Sequence, residues 1–258
     1  MQAIILAGGF GTRLKSVARD TIKPMAPVAG APMLARLLRY MAGQGITQVL
    51  FCLHHKPQQV IDFFGSHYCG MALSYLVEDK PLGTGGALKE ALRRLKPDKP
   101  VFALNGDSLV MLDYHKMMRA HLASGRPITI ATKSMPDCRR YSQLQIERGI
   151  VNHYELYGDA KAGHISVGFY VLSPDIFADD IAMASLENVS DQGSLASNAA
   201  GFSESSFSFE RDFLVPNTPE LKPAAFAEVD YFIDIGVPED YARAQHELPD
   251  VLGALQAA

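Results

Sequence analysis

The sequence has no tryptophan and only three cysteines among 258 residues, and it has no apolar run long enough to read as a membrane-crossing helix. Cys52, Cys69 and Cys138 are odd in number, widely separated and lack any Cys-x-x-Cys pair. Neither a disulfide framework nor a zinc cluster is therefore indicated. Positive charge is not in excess: 24 Lys and Arg stand against 28 Asp and Glu, a formal net charge of -4 with a pI near 6.1. That balance excludes a mainly electrostatic grip on nucleic acid and requires any small anionic ligand to find a local positive site. Met1 and Gln2 lead directly into an apolar strand with no basic leader, so the expectation is a cytoplasmic chain without export or membrane attachment. A hydrophobic content of 48% in 28.1 kDa allows one substantial core. A homo-oligomer is left open.

What is present is alternation. Ala3 to Leu6 reads as a buried strand, and Leu34, Leu37, Leu38 and Met41 recur at helical spacing after Pro32. Val49 to Leu53, a helix after Pro57, a strand around Leu73 to Val77, a helix with Leu88, Ala91, Leu92 and Leu95 on one face, and a strand at Val101 to Leu104 continue the pattern. Strands alternating with helices predict an α/β, Rossmann-like fold with a mixed, mostly parallel central sheet flanked by helices. The second half is less regular, with β-type runs at Ile128 to Thr132, Leu144 to Ile146 and Ile165 to Leu172. Glu187 to Ser208, rich in Ser, Asn, Gly and Ala, reads as a loop or irregular insertion. No internal repeat, and so no hexapeptide β-helix, follows.

After the first strand comes Leu6-Ala7-Gly8-Gly9-Phe10-Gly11-Thr12-Arg13-Leu14, with Lys23-Pro24 ten residues past Arg13. Glycines let backbone N–H groups approach phosphate oxygens, Arg binds them through paired hydrogen bonds, and Lys acts as a point charge, so this pattern points to a polyphosphate. The dinucleotide fingerprint fails because Leu14 stands where its third glycine belongs, and the P-loop fails because Gly11 is followed by Thr12-Arg13. A second small-residue cluster runs from Glu78 to Gly86, between a strand and an amphipathic helix, where backbone can come close to a flat base. Asp107 follows one apolar strand and Asp234 ends another apolar run, which places both carboxylates near the carboxyl edge of the sheet, where open α/β sheets bind ligands. Two carboxylates suit Mg²⁺, which takes few protein ligands and completes its shell with substrate oxygens and water. Asp230 is nearby but outside this context, and Glu239 and Asp240 read as first-turn helix residues.

LAGGFGTRL followed by Lys-Pro resembles the signature of the nucleotidyltransferase superfamily that makes NDP-sugars, a GT-A-like fold. The resemblance spans nearly the whole chain. It implies a single domain over 1–258, its first 110 or so residues binding nucleotide and the remainder, 111–258, binding sugar phosphate. It assigns Leu6, Ala7, Gly8, Gly9, Gly11, Thr12 and Gly106, with Glu78, Gly83 and Thr84 at the base and ribose, to the nucleotide. Arg13 would hold the triphosphate, Lys23 the reacting α-phosphate, and Asp107 with Asp234 the Mg²⁺. Ile22 departs from the family, which places proline before Lys-Pro. At the sugar end, Tyr154-Glu155-Leu156-Tyr157 lacks the Glu-Lys pair of many members, so Glu155 is assigned with Lys161, or alternatively Arg139 or Arg140, and Gly168 matches a position beside the sugar. An asparagine common near Ser166 is absent.

The implied chemistry is attack by a sugar-phosphate oxygen on the α-phosphorus of a nucleoside triphosphate, with pyrophosphate leaving. An anionic nucleophile needs positioning and charge neutralisation more than a general base, so the histidines, His54 and His55 included, are expected to be structural or solvated. The opening block, Phe207 to Phe213 and the Tyr231-to-Tyr241 ending are similar to guanylyltransferases that act on heptose 1-phosphates, which implies GTP and a heptose 1-phosphate as substrates. Mannose-1-phosphate guanylyltransferases and N-acetylmuramate-1-phosphate uridylyltransferases share most of these features. A non-catalytic sugar-nucleotide sensor would be expected to lose a cation or carboxylate, and a glycosyltransferase to show Asp-x-Asp, which is missing near Asp107.

Overall fold

The computed structural model describes residues 1–9, 21–159, 161–177 and 206–256. In chain order the elements begin with β1 (Gln2–Leu6), a 3₁₀ turn (Lys23–Met25), β2 (Pro27–Val28), β3 (Ala31–Pro32), α1 (Met33–Gly43), β4 (Gln48–Leu53), α2 (Gln58–Phe64), β5 (His67–Tyr68) and β6 (Met71–Val77). They continue with α3 (Gly83–Leu95), β7 (Val101–Asn105), β8 (Ser108–Met111), α4 (Tyr114–Ser124), β9 (Ile128–Met135), β10 (Gln143–Glu147), β11 (Ile150–Glu155) and β12 (Gly163–Leu172). A π-helical turn (Phe209–Leu214), α5 (Val215–Leu221), β13 (Ala224–Phe226), β14 (Tyr231–Asp234) and α6 (Pro238–Gln256) complete the order. No described helix is long and apolar enough to cross a membrane.

The chain divides into two units that interleave. Met1–Asp79, Leu104–Tyr114 and Val229–Ala258 form the first, and Lys80–Ala103 with His115–Glu228 form the second. The C-terminal segment thus returns to the unit in which the chain began.

In the first unit β1, β4 and β6 are parallel, with Leu6 opposite Cys52 and Leu53 opposite Val77. Their continuous apolar runs suit a sheet covered on both faces, and Ile4, Ile5, Val49 and Phe51 are fully buried. The parallel strands finish in line: Ala7 N–H donates to Cys52 O, Glu78 N–H to Leu53 O, and Gly106 N–H to Leu6 O. Gly8, His54, Glu78 and Asp107 therefore leave the sheet from one carboxyl edge. Helix α1 buries Leu34, Leu37, Leu38 and Met41, the stripe expected from their spacing.

The second unit corrects the expectation of a mostly parallel sheet. Its strands run in the order β10-β11-β13-β9-β12, and β12 pairs again with β10, closing a ring of pairings. Only the β13–β9 pair in that ring is parallel; β10–β11, β11–β13, β12–β9 and β10–β12 are antiparallel. The physical reason is the length of the connections. Arg148 and Gly149, both at positive φ, turn β10 directly into β11, and so short a link can join strands only antiparallel. In β12 the register with β9 slips between Ser166 and Tyr170, a bulge centred on Gly168 at φ +67°.

Helix α3, also in the second unit, begins with three glycines, an expensive start for a helix. Their reason is Phe207. A Cβ on Gly85 would stand 2.1 Å from the Phe207 ring, and one on Gly83 would stand 2.4 Å from the Phe207 carbonyl oxygen. Residues 206–209 strap the loop down. Ser206 Oγ donates to Pro81 O, Phe207 N–H to Leu82 O, Gly85 N–H to Phe207 O at 2.9 Å, and Phe209 N–H to Thr84 Oγ1 at 2.8 Å. Gly85→Ala removes a helix-interior glycine, which in open surroundings stabilises by about 1 kcal/mol. Here the collision dominates, and urea unfolding is expected to show a loss of about 1–3 kcal/mol, reduced when Phe207→Ala is made as well. An equal loss in both backgrounds would show that Phe207 is not the cause.

Candidate active site

Three charged side chains of the first unit converge. Lys23 Nζ lies 2.5 Å from Asp107 Oδ2 and 3.0 Å from Asp234 Oδ1. Each arrives by a different local device. Asp107 follows β7 in the turn that starts β8, and β8 pairs antiparallel with β14 so that Ser108 faces Asp234 and Ile235 N–H donates to Asp107 O. That pairing refines the expectation: Asp234 sits on a two-stranded ribbon, not at the end of a strand in the parallel sheet. Lys23 opens the 3₁₀ turn, anchored by buried Pro24 and Met25.

Ile22 gains a purpose from this geometry. Its side chain is buried and its N–H donates to Gln59 Oε1 at 3.1 Å, a bond that proline, which has no N–H, cannot make. Gly236 completes the packing, since a Cβ there would lie 2.9 Å from Asp234 Oδ2 and 3.0 Å from Lys23 Nζ. Burial pulls the Lys23 ammonium down, but Asp107 and Asp234 more than offset it and the group is held above its ordinary range. Asp234 is pushed up, first by burial and then by the like charge of Asp107, with Lys23 opposing.

This donor set fits Mg²⁺. Among the described residues no group of three or more His, Cys, Asp and Glu is arranged to hold a metal ion, so a fully protein-caged metal has no such site there. Two carboxylates converging on one positive charge are instead what a hard cation shared with phosphate oxygens requires.

The sequence profile of the family described as Nucleotidyl transferase matches residues 2–251. This chain belongs to that family. A D-glycero-alpha-D-manno-heptose 1-phosphate guanylyltransferase of Aneurinibacillus thermoaerophilus is 36% identical over 248 residues, covering 96% of this chain and 98% of its own. The enzyme of that name from Campylobacter jejuni is 38% identical over 242 residues, covering 93% and 97%. Among solved structures, HddC from Yersinia pseudotuberculosis matches with a TM-score of 0.77 and 33% identity over 96% of this chain and 99% of that one, and it has also been crystallised with GMP-PN.

In this nucleotidyl transferase the residues expected from sequence are distributed as follows. Leu6, Ala7, Gly8, Gly106 and Glu78 gather at the carboxyl edge of the first unit. Gly8 is packed, its would-be Cβ 3.3 Å from His54 N, whereas among the described residues nothing lies within 4 Å of one at Gly9. Gly11, Thr12 and Arg13 lie outside the described residues, as does all of Glu187–Ser208 except its last three positions. His54 has a structural bond, its Nδ1 2.9 Å from Glu78 O. In the second unit, Phe207 lies against Gly83 and Gly85, and Thr84 Oγ1 accepts from the strap. Glu155 lies against Gly158, whose would-be Cβ is 2.6 Å from its carboxylate. The Lys161 side chain is exposed, and its carbonyl accepts from Cys138 N–H. Arg139 is paired with exposed Asp137, and Arg140 lies 5.6 Å from the Tyr141 ring centroid.

Sequence reasoning passed over Glu210. The Tyr170 hydroxyl, two residues beyond Gly168, donates to Glu210 Oε1 at 2.7 Å, and Ser166 Oγ lies 3.4 Å from the same hydroxyl. The signal was present in the Phe207–Phe213 block, where alternating aromatic and charged residues form the π-helical turn; such turns cluster at functional positions. Burial of its carboxyl pushes Glu210 above the usual carboxylate range, although Tyr170 bonding acts the other way. A raised carboxyl contributes stability that is complete below the unfolded value, about 4.3, and is lost as pH climbs through the folded value. Urea unfolding from pH 4 to 8 is therefore expected to show wild type losing stability relative to Glu210→Gln as pH rises. Parallel profiles would remove the carboxyl as the cause.

Proposed function

We propose that this chain transfers GMP from GTP to D-glycero-α-D-manno-heptose 1-phosphate, giving the GDP-heptose and pyrophosphate for surface polysaccharide synthesis in the cytoplasm. The observation that carries the reaction type is the ammonium of Lys23 held between Asp107 and Asp234. The choice of guanine and heptose draws on the two relatives of that activity, each matched over more than nine-tenths of both chains.

In this reading a phosphate oxygen of the sugar 1-phosphate attacks the α-phosphorus of GTP. The new P–O bond forms as the bond to the α–β bridging oxygen breaks, and pyrophosphate leaves with the electron pair. Lys23 neutralises the α-phosphate as charge shifts toward the leaving group, and Arg13 holds the β- and γ-phosphates. Asp107 and Asp234 would hold Mg²⁺, which when bound supplies further neutralisation of the triphosphate. No proton need be removed from the nucleophile, in keeping with His54 being engaged by backbone. We assign the nucleotide to the loop from Leu6 to Thr12 with Gly106, Glu78, Gly83 and Thr84, and the sugar phosphate to Glu155, Lys161 and Gly168.

The test is pyrophosphate release from four nucleoside triphosphates crossed with the 1-phosphates of heptose, mannose, glucose and N-acetylmuramic acid, with Mg²⁺ and with chelator. Release confined to GTP and the heptose, and abolished by chelator, is expected; silence across the panel with nucleotide-sugar still bound would replace catalysis by sensing. Asp107→Asn keeps side-chain volume while removing a charge, and is expected to lower kcat by about 10²–10³ with an unchanged melting curve. Near-normal turnover in that variant would remove Asp107 from the site.

A further inference from the structure

Lys23 makes more contact with the two carboxylates than a lysine reserved for a substrate phosphate requires. Its ammonium bonds one oxygen of each, and its backbone is immobilised by the buried 3₁₀ turn and by the Ile22–Gln59 hydrogen bond. Only the side chain beyond the backbone is left to move.

We propose that Lys23 is a resident counter-ion that keeps a divalent cation out of the Asp107–Asp234 pair until a triphosphate draws the ammonium away, so that metal enters with the nucleotide and not before it. The inference rests on the reading of these carboxylates as the metal-holding pair. Two formal negative charges and one positive leave the cluster singly negative, and a dication added beside the ammonium meets repulsion at a few ångströms in a partly buried setting. The ammonium itself occupies the position between the carboxylates, 2.5 Å from Asp107 Oδ2 and 3.0 Å from Asp234 Oδ1. Asp240, the other acidic group that raises Asp234, is engaged by Arg243 at 3.2 Å and does not offer a replacement ligand. A triphosphate changes the balance because it presents several anionic oxygens to one ammonium. Once Lys23 turns to it, both carboxylates are left without a counter-ion for the cation that the triphosphate brings.

The full-length protein, free of nucleotide, is titrated with Mn²⁺ and the free ion is read by electron paramagnetic resonance. Wild type is expected to bind weakly. Lys23→Met tightens the dissociation constant by at least about tenfold, about 1.4 kcal/mol, while Lys23→Arg, which retains the charge, stays near wild type. Equal affinities for wild type and a Lys23→Met protein with a cooperative melting transition would overturn the proposal. So would tight, stoichiometric Mn²⁺ binding by nucleotide-free wild type that Asp107→Asn abolishes, a result independent of whether Lys23→Met folds, and one that leaves the metal reading intact. Undiminished binding in Lys23→Met/Asp107→Asn would instead sink the metal reading itself, and the proposal with it.

Discussion

The first unit is organised by the need to neutralise two carboxylates that its own backbone pairing forces together. Once β8 and β14 are in register, Asp107 and Asp234 approach one another whatever their side chains prefer. Ionised carboxylates that are near neighbours and partly desolvated raise one another's pKa unless a cation intervenes. Lys23 supplies it from a separate stretch of chain, and the supporting details follow: a turn buried through Pro24 and Met25, an isoleucine whose N–H is taken by Gln59, and a glycine at 236 where any side chain would collide. An arrangement that stores opposed charge at fixed positions before substrate arrives is the kind of preorganised field that phosphoryl-group transfer exploits.

A different constraint governs the second unit. Its glycine-rich helix start has Phe207, a residue of the same unit, pressed against it. The Phe207 carbonyl receives Gly85 N–H and thereby satisfies one of the amides that a helix N-terminus leaves unpaired. The strap then runs straight into the π-helical turn, where Ser208 Oγ accepts Arg211 N–H and Asp212 accepts Ser208 N–H, a reciprocal closure at the start of the turn. From there Phe209 packs edge-on to Tyr170 and Glu210 accepts its hydroxyl. One short segment thus connects the loop before α3 to the bulged strand β12 through contiguous contacts inside a single unit.

The parts legible in the sequence are those with a short period or a local motif. The parallel strands of the first unit and the α1 stripe follow from apolar runs and 3.6-residue spacing, and Asp107, Asp234 and Lys23 follow from their positions after strands and beside the glycine loop. What was not legible depends on partners distant in sequence. That Ile22 replaces a proline could be seen; that Gln59 needs its N–H could not, because nothing local links the two. The same holds for Phe207, whose 2.1 Å conflict with a side chain at Gly85 joins residues more than a hundred positions apart. The antiparallel pairing of β10 with β11 turns on a tight Arg148–Gly149 link whose consequence appears only when the two strands are laid side by side.

The glycines make the underlying point. Gly85 and Gly236 are alike in that a side chain at either would collide with a close neighbour. At Gly85 the neighbour is an aromatic ring of the fold, and the residue serves packing; at Gly236 the neighbours are Asp234 and Lys23, and the residue serves charge. A glycine reports that a side chain cannot be accommodated, and only the identity of the atom in the way says whether the cause is structural or chemical. In this chain the two answers fall in different units, and the one with ionised neighbours coincides with the lysine and carboxylates on which the proposed transfer depends.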